Sequence, residues 1–205
     1  MDAADFLVDE NWHGGYYELA IDLGRRSDPD SDGRVSAALA TLWSDPRLEG
    51  CYLDRWRRRT DQERVEPKLT DPEEPHPLYG VAHLPGGGDV VCVTHIVREN
   101  SGDAPQDWID LSLPTGALGQ VDKRLGGYPF EEDDSSLTWR APIDEWFVSI
   151  AASVFEVAPF KVALIGCEVS GDPAAETFGA GLPDERWIGY VIPHGDAVRF
   201  VPPTH

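Results

Sequence analysis

Four carboxylates on stretches with the character of β-strands are the first candidates for chemistry. Glu18 and Asp22 share one face of Tyr16–Leu23, Asp110 lies within Asp107–Leu113, and Glu168 interrupts an otherwise apolar run from Phe160 to Val169. An acid in a buried strand is either hydrogen-bonded structure or a group with a raised pKa. If these strands are neighbours, the carboxylates line one groove for acid/base work or a metal ion. That is the arrangement of a small hydrolase or metal-dependent enzyme, with Glu168 and Asp110 central. The other reading makes Glu18, Asp22 and Asp110 a solvated sheet face and puts Glu168 near a strand end.

Asp28-Pro29-Asp30-Ser31-Asp32-Gly33 matches the first half of a calcium loop. Alternating carboxylates can converge on one hard cation, and glycine permits the turn. The second half fails, because Leu39 stands where a bidentate Glu is required and belongs to an apolar helical stripe. Asp28, Asp30 and Asp32 are therefore a weak metal candidate. The competing expectation is a helix N-terminus capped by Asp32 or Ser31.

His83, Cys92 and His95 lie close in sequence and invite a zinc reading. Cys92 and His95 are three residues apart, so a regular strand sends them to opposite faces. A two-residue turn places His83 with Cys92 and a three-residue turn places it with His95. No register unites all three, so no metal site is expected there. No nucleophile elbow, phosphate loop, dinucleotide fingerprint or paired-histidine zinc motif occurs. Gly86-Gly87-Gly88 joins two strands and lacks the helix N-terminus that would hold a phosphate. No cofactor is expected.

Two further segments can serve recognition. Arg55-Trp56-Arg57-Arg58-Arg59 is the single basic run. It is expected to pair with the chain's own acids or with a neighbouring subunit, which leaves a homo-oligomer possible. Trp12, in Asn11-Trp12-His13-Gly14-Gly15-Tyr16-Tyr17, is either core packing or an aromatic anchor for a partner.

The elements that must position these groups follow from periodicity. Tyr17, Leu19, Ile21 and Leu23 alternate with Tyr16, Glu18, Ala20 and Asp22, as in a half-buried strand. Val35, Ala38, Leu39, Leu42 and Trp43 form one stripe of a helix over about 34–44, stopped by Pro46. Glu49–Asp54 reads as a strand. Leu78–Leu84 and Asp89–Arg98 read as a hairpin, and Asp107–Leu113 as another strand. A second helix is expected to begin with Pro142 at its first position, with a stripe running to Phe155. Phe160–Val169 suits a central strand, and Arg186–Ile192 with Ala197–Val201 a closing hairpin. The expected fold is α+β: a mostly antiparallel sheet of about six to eight strands with two amphipathic helices packed on it. One domain over 1–205 is expected, with long loop excursions at about 55–77 and 114–140.

Composition sets the outer bounds. The chain has 205 residues with 37 acids against 17 bases, a formal charge of -20. Such a surface opposes nucleic acid and anionic membranes alike. No secretory leader and no apolar run long enough to span a membrane is read. Cys51, Cys92 and Cys167 are few, odd in number and set in apolar stretches, which fits a cytoplasmic setting. Arginine outnumbers lysine, as in proteins from GC-rich bacterial genomes. The acids concentrate in residues 1–33 and 71–135, including the run Glu131-Glu132-Asp133-Asp134. The leading expectation is a non-catalytic, bacterial-type interaction protein that binds a basic protein partner in an inhibitor or immunity-like role. Its recognition surface is expected to use Glu131, Glu132, Asp133, Asp134, Glu18, Asp22 and Trp12.

Overall fold

The computed structural model describes residues 2–98, 105–127, 135–169 and 181–205. The acidic run Glu131–Asp134 lies outside the described residues.

The alternating segment beginning at Tyr16 forms β1 (Tyr16–Arg25), two residues longer than the expected Tyr16–Leu23. Gly24 adopts a positive φ of 97° at a register shift, so the strand bulges there and continues. The remaining strands are β2 (Leu48–Tyr52), β3 (Leu78–His83), β4 (Asp89–Arg98), β5 (Gln106–Pro114), β6 (Val162–Cys167), β7 (Gly189–His194) and β8 (Ala197–Val201). They make one antiparallel sheet of eight strands in the order β2-β3-β4-β5-β1-β6-β7-β8. The fold is α+β, as expected.

β1 is an interior strand held on both sides by segments distant in sequence. Glu18 faces Ser112 of β5 and Gly166 of β6, while Ala20 faces Asp110 and Leu164. One face of the sheet carries Tyr17, Leu19, Ile21 and Leu23, all buried. α1 (Ser31–Leu42) and α3 (Ser135–Val157) pack on that face and on each other. Ile143, Trp146, Phe147, Ile150 and Val154 supply the α3 side of this core. Complete burial of such side chains is worth about 1.5–3 kcal/mol each.

Three helical expectations are corrected. A third helix, α2 (Thr115–Val121), stands where a loop was expected; Gly116 fits there because a Cβ would lie 2.1 Å from the Glu10 carbonyl oxygen. α3 does not begin at Pro142, which lies inside the helix and interrupts its hydrogen-bond ladder. Arg140 anchors the preceding turns, donating to the backbone carbonyls of Trp187 and His205 from a nearly inaccessible position. α1 is preceded by Asp30 as its N-cap, without a side-chain capping bond, rather than by Ser31 or Asp32.

The second face of the sheet is not simply solvated. At the β1-β6-β7 end, Ala20, Trp108, Val162, Leu164, Val169 and Tyr190 form a smaller apolar cluster, with Leu182 and Ile188 packed on it. Between this cluster and β4 the face turns polar. Among the described residues, no helix is long and apolar enough to cross a membrane.

Candidate functional site: an acidic cavity on the second sheet face

Strand alternation and register together gather the polar residues of this face. Glu18 on β1 and Asp110 on β5 are displaced by one register step across neighbouring strands, and His95 on β4 faces Asp110 directly. Glu18 and Asp110 are 4% and 3% exposed. Glu168 follows β6 and is exposed, in a left-handed conformation with φ 52°. Its Oε1 accepts the Tyr16 amide at 2.8 Å, and its own amide donates to the Tyr16 carbonyl at 3.0 Å. Gly15 makes room for this fold-back: a Cβ there would sit 2.5 Å from Glu168 Oε1.

These residues line a cavity of about 330 Å³. Glu18, Asp110 and Glu168 supply carboxylates, Tyr16 and His95 supply rings, and Pro75 and Pro77 close one side with Ile96 and Val97. Ser112 Oγ donates to Glu18 Oε2 at 3.0 Å. Burial holds the His95 imidazole below its ordinary pKa, which favours the neutral ring. Burial, with the Glu168 and Glu18 carboxylates, pushes the Tyr16 phenol up against the opposing pull of Arg55, so it stays protonated. The Tyr16 and His95 rings meet edge to face, with centroids 6.1 Å apart.

The proline rim is fixed by its own anchors. Pro72 O accepts from Arg26 Nη2 at 3.2 Å and from Arg98 Nη1 at 3.3 Å, and Arg26 also pairs with Glu73 at 2.7 Å. Asp71 Oδ1 accepts the Glu73 and Glu74 amides. Arg98 is held in turn by the buried Asp107, with Nε to Oδ1 at 2.9 Å, and by Asp32 at 2.7 Å. Burial works against the Arg98 charge, but the hydrogen bonds it donates to Asp107 and Asp32 outweigh it and its pKa rises. The excursion expected at 55–77 is thus tied to the sheet and to the start of α1.

No family model, no curated protein and no solved structure matches this chain.

The other sequence candidates fall elsewhere. Asp22 shares the Glu18 face and its burial but does not line the cavity. Its Oδ1 accepts the Gly24 amide at 2.8 Å, holding the bulge. Burial raises its pKa, while that amide, Lys161 and Arg34 oppose the rise. The expectation of a solvated face fails for Glu18, Asp22 and Asp110 alike, since each is at most 4% exposed. Trp12 is half-buried and packs edge-on against Phe6 and Tyr79, with its indole nitrogen donating to the Phe6 carbonyl at 2.9 Å. This is a packing role.

Asp28 and Asp32 face Arg34 at 3.3 Å and Arg98 at 2.7 Å, while Asp30 is exposed, so the half-loop carboxylates turn toward guanidinium groups. His83 contacts Asp89 at 2.7 Å at the far end of the hairpin, and Cys92 is buried in the core. The histidines and Cys92 do not meet. Among the described residues, no group of three or more His, Cys, Asp or Glu side chains is arranged to hold a metal. In the basic run, Arg59 pairs with Glu49 at 3.4 Å, and Arg55 lies over the Trp56 ring at 3.7 Å and within 4.0 Å of Asp9. Sequence reasoning missed Tyr16, Ser112, Pro75 and Pro77 as members of the site. Strand register could have found Tyr16 and Ser112, whereas Pro75 and Pro77 lie in a loop placed by Arg26 and Arg98 reaching Pro72.

Proposed function

We propose that this protein binds a basic protein partner by taking a cationic side chain into the acidic cavity, in an inhibitor or immunity-like role. The observation that carries the proposal is the convergence of Glu18, Asp110 and Glu168 on one cavity in a chain of net charge -20. Long-range attraction speeds encounter with a basic partner, and the cavity adds a local, directional contact. Neutral His95 and protonated Tyr16 add no positive charge that would compete. The three unpaired cysteines are compatible with action in a reducing cytoplasm. The immobilised protein should retain a basic partner from source lysate at low salt and release it at high salt. The Glu18→Gln/Asp110→Asn double variant should lose it. Recovery of no basic protein by the wild type at low salt would refute the proposal.

A second reading is favoured by the same convergence. The strands bearing Glu18, Asp110 and Glu168 are neighbours, which is the condition a carboxylate-based hydrolase requires. Asp110 and the neutral His95 would then be the proton-transfer groups. Turnover of generic ester, glycoside or phosphoester substrates, abolished by Asp110→Asn and by Glu168→Gln, would select it over the binding role.

A further inference from the structure

The walls of the cavity narrow the kind of cation it takes. We infer that it receives one guanidinium group, the side chain of an arginine presented by the partner. This rests on the binding role proposed above and specifies its ligand chemistry.

Size is the first argument. A cavity of about 330 Å³ has room for the head of one long side chain. It cannot admit a helix, which is about 10 Å across with its side chains. The occupant is therefore a projecting group, not a segment.

The spread of acceptors is the second. Asp110, Glu18 and Glu168 come from or beside β5, β1 and β6, which are consecutive in the sheet. Neighbouring strands are roughly 5 Å apart, so the acceptors extend over roughly 10 Å along one direction. A guanidinium offers five N–H donors in a flat fork and can meet carboxylates on opposite edges at once. A lysine ammonium is a compact, strongly hydrated point charge and satisfies only a tight cluster of acceptors.

The third argument is the remaining lining. The Tyr16 and His95 rings meet at 71° to form a corner, and Pro75, Pro77 and Val97 add apolar surface. A planar, weakly hydrated cation stacks on such surfaces and leaves water readily. No hydrogen bond or ion pair joins the His95 ring to another described residue. That ring is free to serve an incoming N–H as acceptor or to present its face.

The test uses the full-length chain at low ionic strength. Wild-type protein is titrated with N-acetylarginine amide and with N-acetyllysine amide, read by amide chemical shifts and by calorimetry. The arginine compound should bind at least about ten-fold more tightly, a difference of about 1.4 kcal/mol. Its shifts should centre on Tyr16, Glu18, His95 and Asp110. Glu18→Gln and Asp110→Asn should each weaken it about ten-fold, whereas Glu156→Gln on exposed α3 surface should not change it. Equal or tighter binding of the lysine compound overturns the assignment, as do arginine shifts centred elsewhere. The shift map needs no variant, so a misfolded mutant does not blunt the test. If a basic protein binds and the cavity variants lose it while the arginine compound fails to bind, the guanidinium assignment falls and the binding role stands. If neither binds, both fall.

Discussion

Asp107 and Asp110 lie three residues apart on β5 and are both almost wholly buried, yet the protein treats them differently. Asp107 meets a guanidinium supplied by its own chain. Arg98 reaches it through Nε at 2.9 Å and Nη2 at 3.2 Å, and Ser31 Oγ adds a third donor. Asp110 instead borders a cavity that two other carboxylates share. Burying a charge is costly unless it is paired and hydrogen-bonded. The first aspartate meets that demand internally and ties β5, β4 and α1 together. The second lines a cavity where an outside cation can add to the contacts it already has.

The sharpest way to break this comparison is to remove the internal cation. Arg98→Met leaves Asp107 buried without its partner and should cost about 3–5 kcal/mol, read by urea denaturation. Arg98→Met/Asp107→Leu should recover much of that loss. A single-variant cost below about 1 kcal/mol would show that Asp107 does not depend on Arg98.

Asp144, across β1 from the cavity, gives the next largest effect. Burial pushes its carboxyl from 3.8 up to about 6, with Glu145 adding to the rise and the Tyr17 hydrogen bond and Arg140 opposing it. A carboxyl with a raised native pKa binds its proton more tightly folded than unfolded. Its stabilising contribution is therefore present below about pH 4 and is lost as pH rises through about 6. Asp144→Asn should flatten this dependence. Above pH 6 it should exceed the wild type by on the order of 2–3 kcal/mol, with the Tyr17 hydroxyl still donating to the amide oxygen. Urea midpoints from pH 4 to pH 8 measure it. A wild-type midpoint that rises over pH 4–6 and does so equally in the variant would contradict this account.

Neutralising the cavity should separate binding from stability. Glu18→Gln and Asp110→Asn should change stability by about 1 kcal/mol or less while weakening cation binding, because each amide keeps the shape of the carboxylate and an accepting oxygen, to which Ser112 Oγ can still donate at position 18. The smallest effect belongs to the surface. Glu49 is partly exposed and pairs with Arg59 at 3.4 Å and Arg64 at 3.1 Å. Glu49→Ala should cost less than about 1 kcal/mol, falling further with added salt.

Local pattern carried the fold a long way. The alternation of β1 and the stripe of α1 depend on residues a few positions apart, so these elements were readable, although β1 runs two residues past its expected end and α1 starts three residues before its expected start. α2 escaped because its seven residues, Thr-Gly-Ala-Leu-Gly-Gln-Val, hold two glycines and are too short for a stripe. The early turns of α3 escaped because Arg140 holds them through carbonyls of residues 187 and 205. The carboxylates of the site were named in advance, but their meeting was only conditional. The bond from the Tyr16 amide to Glu168 spans 152 positions, and no local periodicity encodes the order β5-β1-β6. Pro75 and Pro77 were equally hidden, since their place depends on two arginines reaching Pro72.

The interior position of β1 has a consequence for how the chain reaches this state. β1 is synthesised before both of its neighbours, and its ladder is incomplete until residues 106–114 and 162–167 have emerged. Its apolar face has no sheet partner until β5 has been made, and it lacks the second until β6 has followed. Contacts of such long sequence separation slow folding and prolong exposure of strand edges. The carboxylates of Glu18 and Asp22 on that waiting strand give it a charged face, a natural guard against premature pairing with another nascent chain.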